Sequence, residues 1–122
     1  MEVILDTNFI ISCMKRRISF IERLKEEGFR VLIPKEIIEE LKDLKFNVSH
    51  EDKTAIVMAL ELLDLSKDVE KTRLGSKKVD ESLIEMGKKG VYIATLDAAI
   101  RHIVPNKIGI SNEKNDILIE RS

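Results

Sequence analysis

The sequence predicts an α/β fold, in which a mostly parallel sheet is covered by helices on both faces. Three observations carry this. Short apolar, β-rich runs alternate with stretches of helical period, and glycine, proline or serine stands at most of the junctions. The 122 residues, 43% hydrophobic and 35% charged, suit one globular domain that holds its core without disulfides or structural metal.

Each element has its own warrant. Glu2 to Leu5 is a short buried strand, and Thr7 to about Lys15 follows as a helix. A second helix, from about Ser19 to Glu27, is closed by Gly28, the residue best suited to the left-handed position after a helix end. Arg30 to Ile33 is the next strand. Pro34 suits a first helical position, and Ile37, Ile38, Leu41 and Leu44 then repeat with the helical period until about Asn47. Ser49 with Asp52 approximates a capping box for a helix through Ile56, Ala59, Leu60 and Leu63. Val69 to Leu74 alternates weakly, as a strand or an edge segment. Ser76 precedes a helix from about Lys77 to Lys88, ended by Gly90, and Val91 to Ala94 is a strand. Leu96 to Val104 reads as a helix stopped by Pro105. The last two β-rich runs flank a polar turn, Ser111 to Asn115, as an antiparallel hairpin at one edge.

Composition excludes several classes of function. Lys and Arg number 21 against 22 Asp and Glu, a net charge of −1, so composition exerts no pull toward nucleic acid or acidic membranes. Aromatic residues are 4% with no tryptophan, which argues against base-stacking platforms. The single cysteine, Cys13, cannot form an internal bridge and suits the core. Asp6 and Asn8 interrupt the apolar N-terminus, so neither a signal peptide nor a membrane span is expected and the expected location is cytoplasmic.

Open parallel sheets bind ligands beyond the carboxyl ends of their strands. Asp6 directly follows the first strand, and Asp97 stands just past Val91 to Ala94. Either could simply cap the following helix. Glu40 lies at the edge of the apolar stripe of Ile37, Leu41 and Leu44, whereas Glu39 points away from it. The same rotation places Asp80 within the range spanned by Val79, Ile84 and Gly87, and turns Glu81 outward. Either acid could equally be a solvated residue. Thr7, Asn8 and Thr95 are hydrogen-bonding groups that could support these acids. Four carboxylates on one sheet edge repel unless a cation joins them. Oxygen ligands without clustered histidine or cysteine favour Mg²⁺ or Mn²⁺. Such an ion acidifies bound water and stabilises charge on a phosphate oxygen, so phosphodiester hydrolysis follows.

These residues resemble the PIN domain, a family of metal-dependent ribonucleases. The matching pieces are Asp6 in VILDTNFII, Glu40 in PKEIIEEL, Asp80 in VDESLIEMG, and Thr95 with Asp97 in YIATLDAAI. The resemblance covers nearly the whole chain. It implies a three-layer α/β/α fold with a central, mostly parallel sheet, and Asp6, Glu40, Asp80 and Asp97 as a catalytic metal site for Mg²⁺ or Mn²⁺. It also implies an RNA substrate and a homodimer. The C-terminal hairpin looks more like archaeal relatives of the ribosomal RNA-processing branch than like toxins of toxin–antitoxin pairs, so the resemblance allows a ribosome-assembly partner as well as an antitoxin. Ala98 and Ala99 follow Asp97 where family members often carry more polar residues, which leaves fewer ligands for a second metal.

Basic residues near these acids could position a strand through its phosphates. Lys77 and Lys78 lead this group, with Lys15, Arg16 and Arg101 beside them. Any of these clusters could instead be a solvated face. Two rivals to an endoribonuclease draw on the same residues: a PIN-like module that binds RNA or an assembly partner without cutting, and phosphoryl transfer of the haloacid dehalogenase type. The latter needs a second aspartate two positions after the first, where this chain has Asn8.

Overall fold

A computed structural model describes residues 1–122. Six strands, β1 (Glu2–Leu5), β2 (Arg30–Pro34), β3 (Val69–Thr72), β4 (Tyr92–Ala94), β5 (Lys107–Ser111) and β6 (Asp116–Glu120), form one sheet. The helices are α1 (Thr7–Lys15), α2 (Phe20–Glu26), α3 (Lys35–Leu44), α4 (His50–Leu65), α5 (Val79–Lys88) and α6 (Ala98–Ile103). Strand order is β3-β2-β1-β4-β5-β6. Neighbours are parallel through β5, and β6 alone runs antiparallel as the outer arm of the hairpin.

The two faces of the sheet follow from the period of two in its strands. Val3, Leu5, Val31, Ile33, Tyr92 and Ala94 point into the larger core, beside Phe9, Leu24, Ile37 and Ile56 from α1 to α4. Ile4, Leu32 and Ile93 point the other way, against Leu83 of α5 and Ile100 of α6. Direction explains this division. From β1 the sheet grows outward through β2 to β3, and from β4 it grows the opposite way to β5. Crossovers of one hand must then lie on opposite faces in the two halves. The result is the three-layer α/β/α arrangement expected from the sequence.

Boundaries differ where backbone chemistry decides them. Pro34 ends β2 in register with Thr72, and its extended ψ of 142° keeps it outside α3. Lys77 and Lys78 precede α5, because Lys78 N–H is turned back to Ser76 Oγ at 3.1 Å. Leu96 and Asp97 precede α6, which Asp97 caps. Ser49 caps α4 by accepting from Asp52 N–H at 3.2 Å, while Lys15 Nζ lies 2.8 Å from Asp52 Oδ1. Cys13 is fully enclosed, and burial pushes its thiol up to about 12. No helix is long and apolar enough to cross a membrane.

The hairpin is tied to the helical layer by a forked ion pair. Arg23 of α2 donates from Nε to Asp116 Oδ1 and from Nη2 to Asp116 Oδ2, both at 3.1 Å. The bonds from Arg23 hold the Asp116 carboxyl below the usual aspartate range. Its folded value being depressed, the stability it contributes is whole above the ordinary range and is lost as pH falls through the lowered value. Asp116→Asn is therefore expected to lower Tm at pH 7, with the deficit shrinking below about pH 4. Thermal melts of both proteins across pH would check this, and a deficit that stays constant down to pH 2 would refute it.

Candidate active site

Strand order reverses between β1 and β4, and an open α/β sheet forms its ligand crevice at such a reversal. Leu5 is in register with Ala94, so Asp6 and Thr95 emerge side by side at the carboxyl edge. Asp6 N–H donates to Ala94 O at 2.9 Å. Asp6 is 5% exposed and Thr95 is fully buried. The Asp6 carboxylate accepts from Thr7 N–H through Oδ1 at 2.8 Å, and from the Thr95 hydroxyl through Oδ2 at 2.7 Å. Thr95 Oγ1 in turn accepts from Asp97 N–H at 3.1 Å, while Asn8 Oδ1 accepts from Leu96 N–H at 3.1 Å. The start of α1 and the segment joining β4 to α6 are thereby bonded to one another. The Thr7 hydroxyl, also buried, has no partner.

The electrostatics centre on Asp6. Burial raises its carboxyl above the usual range, the bonds from Thr95 and Thr7 pull it partly back, and the charges of Glu40 and Asp80 push it up again. Glu40 and Asp80 thus each lie within electrostatic reach of Asp6. Asp97 is linked to Asp6 only through its N–H, which donates to the Thr95 hydroxyl, while its Oδ1 accepts from Ala99 and Ile100 N–H at 2.9 and 3.2 Å as the cap of α6. The capping role of Asp6 and Asp97 is real, and it coexists with their position at the crevice. None of the four acids takes part in an ion pair. Neither do any three acidic, histidine or cysteine side chains converge closely enough to form a ready metal cage. Like charges with no cation between them stand apart. The donor chemistry, all oxygen and none of it held in an ion pair, fits a hard divalent cation.

A family model described as a PIN like domain matches residues 3–110. The chain belongs to the PIN-like domain family. Membership supports a nuclease-like function in general terms. Among solved structures, the PIN domain of human SMG5 is similar at 16% identity and a TM-score of 0.51, covering 85% of this chain and 89% of that one. At that identity the likeness shows the fold alone. No curated relative matches the chain in sequence.

This PIN-like chain places the other expected residues unevenly. Glu40 is half-buried on α3, and Glu39 is exposed, as the helical rotation requires. Asp80 corrects its expectation. It is exposed like Glu81, because α5 buries only the narrow stripe of Leu83 and Gly87. Lys77 is exposed and lines a cleft with Glu36, Glu39, Glu40 and Asp43, the one cation among those four acids. Lys78 is exposed too, with Glu81 at 4.0 Å. Arg16 is held by the hairpin turn, donating to Asn112 and Asn115, and Lys15 is paired with Asp52. Arg101, expected to meet RNA, is instead turned inward, donating to Thr95 O at 3.1 Å and to Glu120 Oε1 at 2.7 Å.

Glu36 escapes sequence reasoning, because a glutamate in a first helical turn reads as a surface residue favoured by the helix dipole. Its two carboxylate oxygens accept from Leu74 N–H and Gly75 N–H, each at 3.0 Å. Those bonds hold its carboxyl below the usual range. They also anchor the segment that leads to Lys77 and Asp80. Gly75, at φ +79°, is the signal that could have found it, since a glycine turn presents N–H groups that need an acceptor.

Proposed function

We propose that this PIN-like domain is a Mg²⁺- or Mn²⁺-dependent endoribonuclease that hydrolyses RNA phosphodiester bonds. The observation that carries the reading is a buried aspartate, Asp6, at the strand-order reversal, within electrostatic reach of Glu40 and Asp80, with none of the three held in an ion pair. Asp6, Glu40, Asp80 and Asp97 would hold the ion. When bound, it supplies positive charge that stabilises the phosphate in the transition state and acidifies water. The chain's own groups set the stage for this. Thr95 and Thr7 N–H fix the Asp6 carboxylate in one orientation, and Asn8 holds the Leu96 backbone beside it. A phosphate strand would meet an acidic cleft at Glu39, Glu40 and Asp43 with only Lys77 to offset it, so its approach depends on a cation.

The resemblance of the hairpin to the ribosomal RNA-processing branch makes precursor ribosomal RNA the first substrate to try. The wild-type chain is expected to cleave RNA with Mg²⁺ or Mn²⁺ and to stop in excess EDTA. Cleavage undiminished by EDTA would overturn the metal requirement. The separation of the carboxylates favours a second reading, a module that binds RNA or a ribosome-assembly partner without cutting. Salt-dependent RNA binding without detectable Mn²⁺ binding or cleavage would select it.

A further inference from the structure

We infer that Arg101 is a positioning residue that braces the Asp6 and Thr95 pair from the C-terminal hairpin. The inference rests on the nuclease reading for its catalytic consequence. Strand β4 ends at Ala94, so the next carbonyl, that of Thr95, lies just beyond the ladder. Thr95 N–H still donates to Ile108 O at 3.1 Å, but no backbone N–H reaches Thr95 O. Arg101 Nη1 supplies the missing donor at 3.1 Å. Its Nη2 donates to Glu120 Oε1 at 2.7 Å, which fixes the guanidinium between α6 and β6. Lys107 of β5 donates to the Arg101 carbonyl.

Gly109 completes the brace. The guanidinium lies so close over this β5 residue that an added Cβ would come within 2.7 Å of Nη1. A glycine here is a matter of space, not of backbone freedom. Thr95 is thus held by Ile108 O at its N–H and by Arg101 at its carbonyl, while its hydroxyl orients Asp6. Removing Arg101 leaves the carbonyl of a fully buried residue without a partner, a loss that the segment relieves by shifting. The charge of Arg101 meets Glu120 and its side chain is only 22% exposed, so it is poorly placed to meet a phosphate.

Steady-state cleavage kinetics on Arg101→Met, Gly109→Ala and Glu120→Gln test this. Displacing a positioned group by a fraction of an ångström lowers turnover, so kcat is expected to fall ~10- to 100-fold in Arg101→Met with KM for RNA within about twofold. Gly109→Ala, which keeps the arginine, is expected to lower kcat in the same direction, and it carries the test if Arg101→Met does not fold. A raised KM at unchanged kcat would make Arg101 an RNA contact and overturn the inference, as would unchanged kcat in the folded variants. Amide exchange separates this from the nuclease reading. The Leu96 and Asp97 amides, bonded to Asn8 and Thr95, are expected to exchange on the order of 10-fold faster in the folded variants. Unchanged protection would refute the brace whether or not RNA is cut. Faster exchange in a chain whose wild type cuts no RNA would leave the brace standing and overturn only the nuclease.

Discussion

Asp6→Asn is expected to lower RNA cleavage by at least ~100-fold while raising Tm at neutral pH. The two effects have one cause. Asp6 is buried, and its folded carboxyl is raised above the ordinary range chiefly by desolvation. For a raised carboxyl, the charged form opposes folding: its contribution is favourable below the unfolded value and is lost as pH rises through the folded one. Asparagine removes that opposition and keeps the geometry. Its oxygen can accept from Thr7 N–H, and its amide can donate to Thr95 Oγ1, whose proton can turn to Asn8 Oδ1, 3.4 Å away. Thermal melts from pH 4 to 8 should show a gain at pH 7 that fades toward acid. Mn²⁺ should raise Tm in the wild type and leave the variant unmoved. A lower Tm at pH 7, or full cleavage, would sink the account.

Such a trade of stability for function is expected where a chain concentrates charge for chemistry. The rest of the domain supplies the rigidity that makes it tolerable. Val3, Leu5, Val31 and Ile33 are almost wholly enclosed, so the strand ends that carry Asp6 and Pro34 have little freedom to move.

The strands were legible because their residues alternate between two cores, which makes short continuous apolar runs recognisable without their partners. Asp6 and Glu40 were legible for a related reason: one follows a strand end, and the other borders a stripe whose members all lie within ten residues. The exposure of Asp80 could not be read from rotation alone, because α5 packs through Gly87, where an added Cβ would stand 2.4 Å from Val104 Cγ1. Such a close approach narrows the buried stripe, and helical rotation alone does not give its width. Arg101 was unreadable in a different way. Its partners, Thr95 and Glu120, lie on either side of it in sequence, and they meet only when β6 closes the sheet edge. A basic residue reads as a surface charge until the acceptor is known. Glu36 shows the same blindness, since its acceptor role depends on a turn 38 and 39 residues away.

Glu40→Gln set against Glu39→Gln isolates the contribution of position from that of charge. The two glutamates are adjacent, line the same acidic cleft and lose the same unit of charge. Glu40 is half-buried and its charge is felt by Asp6. Glu39 is exposed and lies 3.8 Å from Lys35. A helix turns about 100° per residue, so a side chain directed at the crevice cannot share that direction with its neighbour. Glu40→Gln is therefore expected to weaken Mn²⁺ binding and lower kcat by ~10- to 100-fold. Glu39→Gln is expected to change both by less than about twofold, since an exposed, paired charge is screened by water and salt. Equal losses in the two variants would mean that the cleft acts only through its summed charge. Equal retention would remove Glu40 from the site while leaving Asp6 in it. Only an unequal result, with Glu40 the sensitive residue, ties the helix that follows β2 to the crevice at the end of β1.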